Sequence, residues 1–180
     1  MALETLVAPA TEPVTLAQAR AFLRVGTDGD DTVLTSLLLA AREAVEARLG
    51  CALVTRTIRQ RFLGPRRFDV GLPGILVPGR GPATSLVAAR TIAGDGTETL
   101  APLNLVRLVD GRFVLTAPLF ANVVGLSIDY QAGYGSTPAS VPEAFKVAIL
   151  EAVSEALIRR DNPASQSSQP FEQAFKEVKL

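Results

Sequence analysis

The sequence predicts an α+β fold: a helical core of two N-terminal helices and one long C-terminal helix, with an inserted antiparallel β section and an extended C-terminal tail. Three observations predict it. Apolar residues recur at helical spacing over positions 15–50 and again over 141–160. Between them, from Cys51 to Tyr130, the period changes to alternation punctuated by glycine and proline. After position 160 the polar stretch "DNPASQSSQP" leads into a short amphipathic segment. A chain of 180 residues has the length of one domain, read here as residues 1–160, with 161–180 as a flexible linker and docking tail.

The first helix is read over 15–25, from "PVTLAQARAFLRVG". Thr15 caps it, Gln18 bonds back in a capping-box spacing, Leu16, Ala19, Phe22 and Leu23 make one apolar face, and Gly26 ends it. The second is read over 29–50: Asp28 is the N-cap, Asp30 and Asp31 suit the positive end of the helix dipole, and Gly50 stops it. Leu34, Leu37, Leu38, Ala41, Val45 and Leu49 follow at helical spacing.

The β section is read over 52–130. "LVTRTIRQRF" is a strand with Val54, Ile58 and Phe62 on one side, and "GPRRFDVGLPGILVPGRGP" is too broken for regular structure over most of its length. "SLVAARTIAGDGTETL" reads as strand, turn, strand, and "LVRLVDGRFVL" as a hairpin turning at Asp110-Gly111. "VVGLSIDY" is a last strand with Val124, Leu126, Ile128 and Tyr130 alternating. The third helix, 141–160, has a second capping-box pattern in Ser140 and Glu143, with Pro142 tolerated in its first turn. It carries two apolar stripes, Phe145, Ile149, Ala152, Val153 and Ala156 on one side and Val147, Leu150, Leu157 and Ile158 near the other. One stripe suffices for a lone amphipathic helix, so the second implies burial against the β section or a neighbouring subunit.

Little catalytic chemistry is on offer. With no histidine and Cys51 as the single cysteine, a zinc site, a histidine-dependent triad and an intrachain disulfide framework are excluded. Gly133-Tyr134-Gly135 follows a strand as a phosphate loop does. However, Ser136 to Ala139 separate the glycines from the helix, and no GK[ST] follows, so a simple turn is the better reading. Glu43 with Glu46, and Glu151 with Glu155, stand one helical turn apart and read as a solvated or interfacial face, Glu155 pairing with Arg159. Asp28, Asp30 and Asp31 lack the later ligands of a calcium loop, and Cys51 reads as a small buried hydrophobe. The reading therefore predicts no catalytic residue, no metal and no cofactor. No signal peptide is read at the N-terminus and no apolar run reaches the roughly 18–20 residues of a membrane span, so synthesis in a reducing cytoplasm is expected, with no membrane partner.

Formal net charge is zero, but unevenly placed. Arg56, Arg59, Arg61, Arg66 and Arg67 follow one another with no acid between them, whereas Asp28, Asp30, Asp31, Glu43 and Glu46 crowd the segment before. Two solvated faces explain this, as do salt bridges between segments or between subunits of a ring. The arginine run is the one feature compatible with nucleic acid, though it lacks interleaved aromatic platforms. In the tail, Phe171, Phe175 and Val178 at helical spacing either dock on a partner or fold back on the domain.

The order of "PVTLAQARAFLRV", "GTDGDD", "TVLTSLLLAAREAVEARLG", "CALVTRTIRQRF", "GDGTETL" and "IDYQAGYGSTPASVPEAFKVAILEAVSEAL" resembles the head–tail connector, or adaptor, proteins of long-tailed bacteriophages and phage-derived gene transfer agents, from Pro13 to about Arg160. The resemblance implies a structural protein without catalysis, at the head–tail junction of a virion or gene transfer agent particle, assembled in the bacterial cytoplasm. It implies a dodecameric ring beneath the capsid portal protein that carries a stopper or tail connector protein and lets genomic DNA pass without sequence-specific binding. By analogy, Phe171, Phe175, Val178 and Leu180 form the portal-docking tail, and Arg56, Arg59, Arg61, Asp30, Asp31, Glu43, Leu157 and Ile158 lie at the subunit interface. The alternatives are a cytosolic enzyme or ligand-binding domain with a pocket in the β section, and a DNA-binding accessory factor using Arg56 to Arg67.

Overall fold

A computed structural model describes residues 2–26, 31–64, 74–116 and 123–161. Among them are three α-helices and eight strands in two antiparallel sheets, an α+β fold as the sequence predicts. The strands are β1 (Ala2–Val7), β2 (Arg56–Leu63), β3 (Ile75–Leu76), β4 (Ala83–Ala93), β5 (Glu98–Ala101), β6 (Val106–Val109), β7 (Arg112–Leu115) and β8 (Val123–Ala132). The helices are α1 (Leu16–Leu23), α2 (Asp31–Leu49) and α3 (Glu143–Asp161). One sheet has the order β1-β2-β8-β4-β5 and the other β3-β7-β6.

The inner faces of the two sheets make the first core. Alternation along β2 points Ile58, Gln60 and Phe62 inward, and the register sets Ile58 beside Tyr130 and Phe62 beside Leu126 on β8. Phe113 of β7 packs edge-on between Phe62 (6.2 Å) and Tyr130 (5.0 Å). Phe62, Leu126 and Ile128 are fully buried, each contributing roughly 1.5–3 kcal/mol. Gln60 is buried among them because the loop after β3 satisfies its amide: its Oε1 accepts from the Gly79 N–H at 2.7 Å and its Nε2 donates to the Val77 carbonyl at 3.3 Å.

A second core joins the helices. Ala19 of α1, Leu34, Leu38, Ala41 and Val45 of α2, and Ala148, Ile149 and Val153 of α3 cluster with Val14, Leu53, Val54 and Val141. The segment 51–54 links the two cores, since Ala52 belongs to the first while Cys51, Leu53 and Val54 belong to the second. The expected strand "LVTRTIRQRF" thus begins only at Arg56, because residues 51–54 pack as an irregular buried link.

Local chemistry follows the reading at several ends. Thr15 caps α1 with Gln18 in a complete capping box, and Gly50, at φ +63°, stops α2. Asp110 and Gly111 take the two positive φ values, 47° and 69°, of a tight hairpin between β6 and β7.

Other expectations are corrected. The sequence reading missed β1, whose six residues carry no regular alternation; it pairs with β2 from Ala2 opposite Arg61 to Val7 opposite Thr57. Helix α1 ends at Leu23 with Arg24, not Gly26, in the left-handed conformation, and Phe22 points outward at 47% exposure because only Leu16, Ala19 and Leu23 reach the helical core. Ser140 does not cap α3: it closes a 3-10 turn, Pro138–Ser140, with its hydroxyl 3.0 Å from that of Thr137, and α3 begins three residues later. Strand β8 is not one-sided, because β2 and β4 flank it and Ser127 and Asp129 are buried as well, while Val124 at its start is 40% exposed. The proposed Asp28 cap and Asp30 lie outside the described residues.

Candidate assembly surface

The glycine turn after β8 is structural. The Gly133 N–H donates to the Pro82 carbonyl at 3.0 Å, the Tyr134 N–H donates to the Leu53 carbonyl at 3.1 Å, and the Gly135 carbonyl accepts from the Thr55 N–H at 2.9 Å. A Cβ on Gly133 would lie 2.5 Å from the Thr55 nitrogen, so the two backbones meet at a distance only glycine allows. A phosphate needs convergent free N–H groups, and two of this turn's are already given to carbonyls. The turn therefore ties the sheet to segment 51–54 under the helices.

The charged side chains serve the same end. Glu46, read as part of a solvated or interfacial face, is instead buried at 3% exposure. Its carboxylate accepts from Arg42 at 2.9 Å, from the Leu53 N–H at 2.9 Å and from Arg56. Burial is tolerated because several charge-assisted hydrogen bonds replace the lost water. Arg42 also pairs with Glu12 at 2.8 Å, and the Arg80 guanidinium donates to the Glu46 carbonyl. On the outer face of the larger sheet, Asp129 receives a two-pronged bond from Arg59 (2.7 and 2.9 Å) and a third from Arg90 (2.6 Å). Burial pushes the Asp129 carboxyl upward, but the bonds from Arg59 and Arg90 outweigh it and hold the group below the ordinary carboxylate range. Arg61 pairs with Glu98 at 2.9 Å.

Of the expected interface residues, Arg56, Arg59 and Arg61 are therefore paired within the chain, the intersegment alternative of the charge reading. Asp31 pairs with Arg20, whereas the Glu43 side chain, 66% exposed, stands 3.7 Å from Arg42. Leu157 packs partly against the helical core, and Ile158 is 57% exposed. Phe171, Phe175, Val178 and Leu180 lie outside the described residues, as do Arg66 and Arg67. Cys51 is buried as expected, and burial, reinforced by Glu46, pushes its thiol up to about 11.

Helix α3 leaves an apolar strip exposed. Val147 (44%) and Ile158 (57%) stand eleven residues, three turns, apart on α3 and so share a face, with the half-buried Leu150 between them. A cleft of about 340 Å³ opens between β1, α2 and β2, yet its charged lining includes Glu46 and Arg56, which already pair with each other. Among the described residues no group of acids and cysteine is placed to hold a metal ion, and no helix is long and apolar enough to cross a membrane.

Residues 13–74 match the family model described as Phage gp6-like head-tail connector protein. The resemblance read from the sequence is thus upheld. The fold is similar to that of a chain in the neck of an empty gene transfer agent (GTA) particle computed with C6 symmetry, at a TM-score of 0.74 and 24% identity over 94% of this chain and 90% of that one. It is similar to a chain in the virion of a native GTA particle, at 0.73 and 24% over 95% and 90%. A third neighbour is a chain in the neck of a native GTA particle computed with C12 symmetry, at 0.72 and 25% over 95% and 90%. No curated protein sequence matches the chain. The family description names a head-tail connector protein, and the three neighbours are chains of GTA necks and of a GTA virion.

Proposed function

We propose that this chain is the head–tail adaptor of a tailed phage or gene transfer agent particle. Copies form a ring, twelve to a turn, beneath the portal protein, carry the stopper or tail connector protein on the far side, and enclose a channel through which genomic DNA passes without sequence-specific contact. The observation that carries this reading is the shared fold over nine-tenths of the chain with proteins of GTA necks, one of them computed with C12 symmetry. Helix α3 supports it, since the exposed Val147 and Ile158 supply apolar area that a ring neighbour covers, although Leu150 and Leu157 of the expected second stripe pack against the helical core. Glu43, left exposed, and Asp30 stand at the same interface, together with Asp31 and the outer edges of Arg56, Arg59 and Arg61. The tail residues Phe171, Phe175, Val178 and Leu180 dock on the portal, whose surface offsets the entropy of ordering them.

Cryo-electron microscopy of particles from the source bacterium tests the ring, with density for this chain expected between portal and tail. Truncation after Asp161 tests the tail: heads are expected to lose the protein while the truncated chain keeps its thermal stability. Normal attachment of the truncated chain removes the docking role from residues 162–180.

A further inference from the structure

The smaller sheet has one face in the core and one turned outward. Leu76, Val106, Phe113 and Leu115 are buried, so by alternation Ile75, Arg107, Val109, Arg112 and Val114 form the outer face. The register makes two rows. Ile75 stands beside Val114 and Val114 beside Arg107, while Arg112 stands beside Val109, and Val77 follows β3 on the Arg112 side. Neighbouring positions on such a face lie about 5 Å apart, so these six side chains form one contiguous patch.

Its apolar members are wet. Ile75 and Val77 are each 58% exposed and Val109 is 47% exposed. Arg107 and Arg112 are exposed, and among the described residues neither is in an ion pair, although Arg42, Arg56, Arg59, Arg61 and Arg90 all are. Asp110, in the turn between the two strands, pairs with neither of them. Two like charges on one face therefore stand without a counter-charge among the described residues, in contrast to the five paired arginines.

We propose that this outer face docks an acidic, partly apolar protein segment belonging to another component of the particle. Guanidinium groups bind carboxylates through two parallel hydrogen bonds, and the four aliphatic side chains around them supply the area that carbon atoms of the segment cover. Duplex DNA fits less well, because phosphate-binding surfaces are dense in cations and polar groups, whereas aliphatic residues hold four of the six positions here. The inference rests on the connector reading only for which protein supplies the segment.

The test places a photo-crosslinking amino acid at Val109 in cells that make the particle. The expected result is an adduct with an Asp- or Glu-bearing segment of a different particle protein. Its yield should fall at least tenfold in the double variant R107E/R112E and return when the mapped acid is changed to Arg. An unchanged melting temperature of R107E/R112E shows that the fold is kept. An adduct with DNA or with a second copy of this chain, no adduct, or an undiminished yield in R107E/R112E overturns the proposal. Mass spectrometry of purified particles tests the connector reading separately, since the chain's absence from them defeats that reading whatever Val109 captures.

Discussion

Asp129 is buried in the middle strand of a sheet, where an isolated carboxylate would be expelled or protonated. Arg59 and Arg90 keep it ionised. Asp129→Asn is expected to destabilise the fold by about 2 kcal/mol in urea denaturation, below the ~3–5 kcal/mol of a fully buried pair because the two arginine side chains keep 20% and 25% of their surface exposed. The carboxyl is depressed in the folded state, so its stabilisation is complete above its unfolded value of about 3.9 and is lost as pH falls through the lower folded value. Unfolding free energies at pH 7 and pH 3 should differ by less in Asp129→Asn than in the native chain; an equal difference denies the pair its role. Cys51 makes a second prediction at this scale. With its thiol pushed up to about 11 by burial, it should resist alkylation at pH 8 until denaturant opens the chain, as mass measurement of the labelled protein would show.

Elements were legible where local chemistry decides them. The Thr15 cap, the Gly50 stop and the Asp110-Gly111 hairpin each rest on residues a few positions apart, and each stands where the sequence puts it. Strand β1 was not legible, because "ALETLV" lacks period two and becomes a strand only through the open edge of β2. The start of α3 was misread for a related reason: Ser140 satisfies the capping pattern, but the 3-10 turn before it draws its hydroxyl to Thr137 instead. The glycine turn after β8 is where an element meets its neighbours most closely. Gly133→Ala is expected to cost about 1–3 kcal/mol, read as a lowered melting temperature, because the new methyl would press on the Thr55 backbone 2.5 Å away.

At the scale of the whole molecule, the two cores meet through segment 51–54, and the buried carboxylate of Glu46 fixes that meeting by holding Arg42, Arg56 and the Leu53 amide at once. Among the exposed apolar surfaces of the described residues are that of α3 and the outer face of the small sheet. By itself, the sequence determined the α+β class, the lack of histidine chemistry and the resemblance to head–tail connectors, all of which depend on composition, period and order. Only the tertiary structure decided that Glu46 is buried, that Arg56, Arg59 and Arg61 pair within the chain, and that Arg107 and Arg112 have no ion pair among the described residues and stand beside exposed aliphatic ones. The physical reason is distance along the chain: Arg59 finds Asp129 seventy residues away, and a partner at that separation is set by strand register, which no local pattern encodes.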